Sequence, residues 1–118
     1  MKQQEYVNAY KVIQKYEEEK LPLDIAYGLF KVKKLLQDQW DFEVTKEQEI
    51  FERYKPKTSE TGMFTFASDE DQKHFTEEFT ELLGMEVDKQ FDKVKIDFGD
   101  RIEMSVADIE MLSGFVEF

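Results

Sequence analysis

LDIAYGLFKVKKLLQDQWDFEVTKEQEIFERY, residues 23–54, is the stretch that decides the fold of this chain. Apolar side chains recur in it every three or four residues, which predicts an amphipathic helix with one buried stripe. Pro22 precedes the stretch and suits the first turn of a helix, where its missing N–H is no loss. The stripe is clear at first and thinner later: Ile25, Leu29, Val32, Leu36 and Trp40, then Val44, Ile50, Phe51 and Tyr54.

The length of this helix is a problem for a small domain. A continuous helix from Leu23 to Tyr54 would extend about 48 Å, whereas a compact domain of this size has a radius of gyration of about 13–14 Å. The helix therefore either bends or breaks near residues 41–45, where Val44 and Thr45 are both β-branched, or its far end projects. Two interpretations follow: a simple helical hairpin, and a projecting arm that docks on another molecule.

Shorter elements are predicted on both sides of the long helix. Residues 4–19 show a helical apolar period, and Pro22 separates them from the long helix. Residues 55–62 are rich in breakers and small polar residues, which predicts a loop. Residues 63–66 then read as a short strand, with two phenylalanines on one face.

The second half predicts two further helices and a hairpin. Capping serines begin helices at Ser68 and Ser105. Apolar residues alternate on both sides of the turn dipeptide Gly99-Asp100, which predicts a β-hairpin. The alternating residues are Val94, Ile96 and Phe98 in the first strand, and Ile102 and Met104 in the return strand. The apolar tail 115–118 is expected to pack down or to add a strand.

Together these elements predict an α+β fold in one domain, residues 1–118. An N-terminal αα-hairpin with one long helix (1–54) is joined by a loop (55–62) to a smaller acidic half with a β-hairpin and two further helices (63–118). Two separate domains are not expected, because about 55 residues per half is marginal for an independent core. The expected core comprises Tyr10, Ile13, Ile25, Leu29, Val32, Leu36, Phe75, Phe79, Leu82, Val94, Ile96 and Leu112.

Charge is distributed unevenly along the chain. Residues 1–60 carry 11 Lys/Arg and 12 Asp/Glu, whereas residues 61–118 carry 5 and 15. Such an acidic field repels nucleic acid and anionic membranes and attracts basic protein surfaces. We therefore expect a protein partner, no direct nucleic-acid contact and no membrane contact. The absence of cysteine and of a long apolar run suits a cytoplasmic protein.

No motif in the chain carries recognisable chemistry. His74, the only histidine, lies on a charged helical pattern and reads as a surface residue. Asp97-Phe98-Gly99 matches a kinase tripeptide, but the other kinase motifs are missing and Gly99 is better explained by the hairpin turn. Asp88, Asp92, Asp97 and Asp100 do not have the spacing of a calcium loop. We predict no enzyme, no cofactor and no metal, with an unrecognised carboxylate pair as the one catalytic alternative.

Several of these sequence features occur together in a known group of proteins. They are the Leu21-Pro22-Leu23 helix start, the ending Glu52-Arg53-Tyr54, the glycine-containing loop, the acidic helix, the hairpin, and the sequence Ser105-Val106-Ala107-Asp108 followed by Leu112 and Phe115-Val116-Glu117-Phe118. Over roughly residues 20–118 the chain resembles small uncharacterised proteins encoded in phages and prophages of Gram-positive bacteria. The resemblance implies a phage context, without an activity or site residues.

The first functional hypothesis is a phage-encoded interaction or assembly accessory protein. It would bind a phage or host protein, or a second copy of itself, through the long helix. The residues expected to contact the partner are the aromatic side chains of the arm: Trp40, Phe42, Phe51 and Tyr54.

The second hypothesis is an acidic inhibitor that mimics nucleic-acid charge and blocks a host defence or replication enzyme. Its carboxylates would replace phosphates in a basic groove, and its binding would weaken steeply with salt. The acidic face expected for this role comprises Asp69, Glu70, Glu77, Glu78 and Glu81, extended by the aspartates of residues 88–100.

Overall fold

Four helices and four very short strands make up this α+β fold, which a computed structural model describes over residues 1–118. The α+β class predicted from the sequence is confirmed. The helices are α1 (Gln3–Tyr16), α2 (Leu23–Tyr54), α3 (Asp69–Leu83) and α4 (Val106–Leu112). The strands are β1 (Lys57–Thr58), β2 (Phe64–Thr65), β3 (Val94–Lys95) and β4 (Val116–Glu117).

Helix α2 is continuous over its 32 residues, so of the alternatives drawn from its length a break near residues 41–45 is absent. β-branched residues lower helix propensity only slightly, and two of them do not interrupt a long helix. The helix ends at Lys55, which adopts the left-handed conformation (φ 42°) before Pro56. Because proline disfavours the helical conformation in the residue before it, the sequence sets this end locally.

The main core lies between α1, the first part of α2, β3 and the C-terminal segment. Tyr6 packs edge-on against Phe115 there, with 5.1 Å between ring centroids. Ten of the twelve predicted core residues are buried, while Phe79 and Val94 are half-buried. The buried residues of this core are Tyr6, Ala9, Tyr10, Val12, Ile13, Ile25, Leu29, Val32, Leu36, Ile96, Phe98, Leu112, Phe115 and Val116.

A second, smaller core covers the far end of α2. Ile50 from α2 packs with Phe75 and Leu82 from α3, and all three are buried. Half-buried aromatic residues surround them: Phe51, Tyr54, Phe66 and Phe79. The far end of α2 therefore extends past the main core, but α3 packs along it.

The β-hairpin predicted around Gly99 is wrong. Gly99 does adopt a positive φ of 56° in a turn, but residues 102–104 form no strand. Instead, β3 pairs in parallel with β4, Val94 opposite Val116. The C-terminal segment provides both hydrogen bonds and burial at this site, because Phe115 and Val116 are each buried as it pairs.

The only antiparallel strand pair lies elsewhere and joins the region predicted as a loop to the strand expected in residues 63–66. Lys57 pairs with Thr65 and Thr58 with Phe64. Residues 55–62 are therefore a strand followed by a turn rather than a simple loop, and the strand expected in 63–66 is present. The left-handed Gly62 (φ 82°) lies in the connecting turn, where glycine adopts such angles without steric cost.

Both predicted serine caps are confirmed. Ser68 Oγ accepts a hydrogen bond from the backbone N–H of Asp71, and Ser105 Oγ accepts one from Asp108, each at 3.1 Å. Asp108 also connects α4 to α1, because its buried carboxylate accepts hydrogen bonds from Lys15 Nζ at 2.8 Å and Tyr16 OH at 3.2 Å. The hydrogen bond from Lys15 is the main reason that the pKa of Asp108 is lowered.

Candidate functional site

One side of α2 is left uncovered along the length of the helix. Apart from the adjacent Phe30 and Lys31, its members follow one another at intervals of three or four residues, which places them along one side of the helix. Each of these side chains is exposed. We call this row the α2 outer face; it comprises Leu23, Tyr27, Phe30, Lys31, Lys34, Asp38, Asp41, Thr45, Gln48 and Glu52.

The first two turns of the α2 outer face are apolar. Leu23 is 85% exposed, Tyr27 54% and Phe30 53%. The rings of Tyr27 and Phe30 meet edge to face with 6.1 Å between centroids, so they form one continuous patch. Adjacent exposed apolar side chains on a small protein commonly mark a site of protein contact.

An apolar groove continues from this patch toward α1. It has a volume of about 410 Å³ and shares Phe30 with the α2 outer face. An ion pair between Lys33 of α2 and Glu17 beyond α1 lies at its edge, and this hydrogen bond raises the pKa of Lys33. The apolar lining comprises Ile13, Tyr16, Leu21, Ala26, Leu29 and Phe30.

Two lysines flank the exposed rings. Lys31 Nζ lies 5.0 Å from the Tyr27 ring centroid, and Lys34 Nζ lies 5.3 Å from that of Phe30. Neither lysine forms an ion pair within the chain. The patch therefore combines aromatic surface with two positive charges that have no carboxylate partner.

The second half of the α2 outer face has the opposite charge. Asp38 and Asp41 follow the two lysines one turn later, and neither forms an ion pair within the chain. Asp41 accepts one hydrogen bond, from Gln37 Nε2 at 2.9 Å. Glu52 adds a further negative charge near the end of the row. Positive charge thus precedes negative charge along one uncovered helix face.

The aromatic residues predicted to contact a partner are distributed differently. Trp40 is half-buried and stacks on Tyr10, with 4.4 Å between ring centroids. Phe51 and Tyr54 are half-buried in the second core, where both rings contact Phe75. Phe42 alone is exposed, to 39%. Three of the four predicted contact residues are therefore partly covered by other rings of this chain.

The predicted acidic residues of α3 remain largely at the surface. Asp69, Glu70, Glu77 and Glu81 are exposed, whereas Glu78 is half-buried and forms an ion pair with Arg53 of α2. The four aspartates of residues 88–100 are exposed on the segment whose strand β3 packs against the first half of α2. Since α3 packs along the other half, the two acidic groups do not form one face.

A buried polar contact joins α1 to the middle of α2. Gln3 Nε2 donates to the backbone carbonyl of Gln39 at 2.8 Å and to Glu43 Oε1 at 3.2 Å. Glu43 is 1% exposed, and its Oε2 has no hydrogen-bond partner. Burial raises the pKa of Glu43, and nearby Glu47 acts in the same direction. The hydrogen bond from Gln3 and the charge of Lys11 act against this shift.

No three His, Asp or Glu side chains are arranged to hold a metal ion. His74 is exposed on α3, as its charged surroundings in the sequence predict. None of the helices has both the length and the apolar composition that crossing a membrane requires.

The sequence contained a signal for the exposed patch that the helix prediction did not use. Leu23, Tyr27 and Phe30 have the spacing i, i+4, i+7, which describes a second apolar stripe on α2. It lies opposite the stripe of Ile25, Leu29 and Val32 that is buried in the main core. A helix with apolar residues on two sides is either buried on both sides or exposed on one of them. Helix α2 is exposed on the side of Leu23, Tyr27 and Phe30.

Comparison with protein-family models, with curated proteins and with solved structures finds no match to this chain.

Proposed function

We propose that this chain is a non-enzymatic protein–protein interaction protein, an accessory or assembly factor in the host cytoplasm. It binds its partner through the first half of the α2 outer face. The phage setting of this proposal comes from the sequence resemblance alone. The single observation that carries the binding proposal is the exposed patch of Leu23, Tyr27 and Phe30 beside an apolar groove.

The chemistry of the patch specifies the kind of partner. Covering an exposed aromatic ring with apolar side chains lowers the free energy of the complex. This hydrophobic contribution does not require one particular orientation of the partner. Lys31 and Lys34 add a requirement for negative charge on the partner, because each lies over an aromatic ring and has no carboxylate partner within the chain. The favoured partner is a protein segment that presents apolar side chains flanked by carboxylates.

The experiment is affinity capture from the native host lysate at low and high salt, with proteins identified by mass spectrometry. Wild type is compared with Tyr27→Ser/Phe30→Ser, which removes the patch, and with Glu77→Gln/Glu81→Gln, which alters only the α3 acids. We expect a partner that wild type and the α3 variant retain and that the patch variant loses, with its purified affinity weakened at least about tenfold. Both pairs are exposed, so both variants should stay folded, which their far-UV circular dichroism spectra check.

The acidic-inhibitor alternative predicts another result in the same experiment. A basic nucleic-acid enzyme would be captured only at low salt, and the α3 variant rather than the patch variant would lose it. The exposed carboxylates of α3 support this alternative, but the pairing of Glu78 with Arg53 reduces its acidic face. Identical capture by all three proteins would contradict both functions.

A further inference from the structure

We propose that the partner of the α2 outer face is a second copy of this chain, with the two α2 helices antiparallel. This inference rests on the proposed function, since it names the occupant of the same surface. It follows from the order of charges along α2, in which two lysines come first and two aspartates follow one turn later.

Because of this order of charges, the α2 outer face of one copy is complementary in charge to the same face of a second copy. In an antiparallel pair related by a two-fold axis level with Leu36, position 34 of one copy lies opposite position 38 of the other, and position 31 opposite position 41. Each lysine of one copy therefore comes near an aspartate of the other, on both sides of the axis. A two-fold interface uses the same patch on both subunits, so this pairing forms four opposite-charge contacts.

Neither the lysines nor the aspartates have an oppositely charged partner within one copy. None of the four forms an ion pair in the chain, and all four side chains are exposed. The second copy also matches the partner chemistry derived above, because Phe42 is exposed beside Asp38 and Asp41. A parallel pairing would place like charges together, which disfavours it.

The distribution of net charge favours association through this helix. Residues 1–60 carry 11 Lys/Arg and 12 Asp/Glu, so the region that contains α2 is nearly neutral. Residues 61–118 carry 5 and 15, and two copies approaching through that half would repel each other strongly. The α2 outer face is therefore a surface at which two copies meet with little repulsion.

Sedimentation velocity over a concentration series tests this proposal with charge-reversed chains. Wild type should form dimers. Lys31→Glu/Lys34→Glu alone and Asp38→Lys/Asp41→Lys alone should each associate more than about tenfold more weakly, because like charges then face each other. An equimolar mixture of these two variants should recover dimers, since each supplies the charges that the other lacks, and this recovery also shows that both variants are folded.

Three results would overturn the antiparallel dimer: a wild-type monomer at every concentration, variants that associate as wild type does, or a mixture that stays monomeric. The second result would indicate a dimer held by Tyr27 and Phe30 without charge pairing. The proposed function is separable from this inference. A monomeric wild type whose patch still captures another protein would overturn the dimer and support the function. A charge-dependent dimer, together with lysate capture that is unchanged by the loss of Tyr27 and Phe30, would support the dimer and contradict the function.

Discussion

Glu43 places a carboxyl group between α1 and α2, where almost no solvent reaches it. Its Oε1 has one hydrogen bond from Gln3, while its Oε2 and Gln3 Oε1 have no partner. A buried carboxylate with an unpaired oxygen is costly, so folding raises the pKa of this group. Glu43 therefore makes stability depend on pH at one residue.

Replacing Glu43 with Gln should stabilise the chain at neutral pH by about 1–3 kcal/mol. Because the pKa of Glu43 is raised in the folded state, the folded chain holds this proton after the unfolded chain has lost it near pH 4.3. The free energy of unfolding of wild type should then fall as pH rises from about 4.3 to the folded pKa, relative to that of the variant. Urea denaturation at a series of pH values measures this difference.

The control for that series is Glu110→Gln, which removes an exposed carboxylate on α4, away from the α2 outer face. It should follow wild type across the series. If the stability of Glu43→Gln parallels that of wild type at every pH, folding does not raise the pKa of Glu43 and this account of its environment is wrong.

At the residue scale, the sequence correctly predicts which side chains are buried where helical spacing alone determines their burial. Ile25, Leu29 and Val32 recur at helical intervals and are buried. The sequence does not say which aromatic residues of α2 acquire a packing partner, because the partner is distant in the chain. Trp40 is half-buried because Tyr10 stacks on it, whereas Tyr27 has no such neighbour and stays exposed.

At the element scale, the close approach of α2 to the segment containing β3 depends on the absence of a side chain at Gly28. A Cβ atom there would lie 2.6 Å from Ile96 Cγ1 and 2.8 Å from Ile96 Cδ1, well inside van der Waals contact. Ile96 is buried, and its backbone N–H donates to Glu117 at the parallel pairing. Gly28 thus allows a helix and a strand pair to share one core.

Whether Gly28→Ala raises or lowers the free energy of unfolding should depend on the side chain at residue 96. In wild type the substitution should destabilise by about 1–3 kcal/mol, because the overlap with Ile96 outweighs a gain of about 1 kcal/mol in helix propensity. In an Ile96→Ala background it should stabilise, since the remaining Ile96 Cβ position lies 3.6 Å from the new methyl group. Chemical denaturation of the four chains measures both differences, and equal signs in the two backgrounds would contradict the proposed contact.

Local signals predicted the helices well and the strand pairing poorly. Pro22, Ser68 and Ser105 act within a few residues of themselves, and the helices begin where they indicate. The pairing of a strand, by contrast, depends on which of several segments of the chain provides the better partner. Residues 102–104 were the nearest partner in sequence for β3, but the tail at Val116 provides hydrogen bonds and a buried side chain together.

At the scale of the whole molecule, α2 acts as a continuous support for two cores. The molecule measures 51 × 35 × 21 Å and has a radius of gyration of 17.1 Å, larger than the value of about 13–14 Å for a compact domain of this length. The sequence predicted this conflict between helix length and domain size without resolving it. Helix α3 resolves it by covering the far end of α2, and the outer side of α2 remains uncovered.

The measurement that tests the central claim most directly is site-specific photocrosslinking of the folded chain in its native host lysate. A benzophenone amino acid replaces Tyr27 on the α2 outer face or, as the matched control, the exposed Thr76 on α3. If the α2 outer face binds protein, residue 27 should crosslink to a partner chain and residue 76 should not. Crosslinks from residue 76 with none from residue 27 would contradict the account.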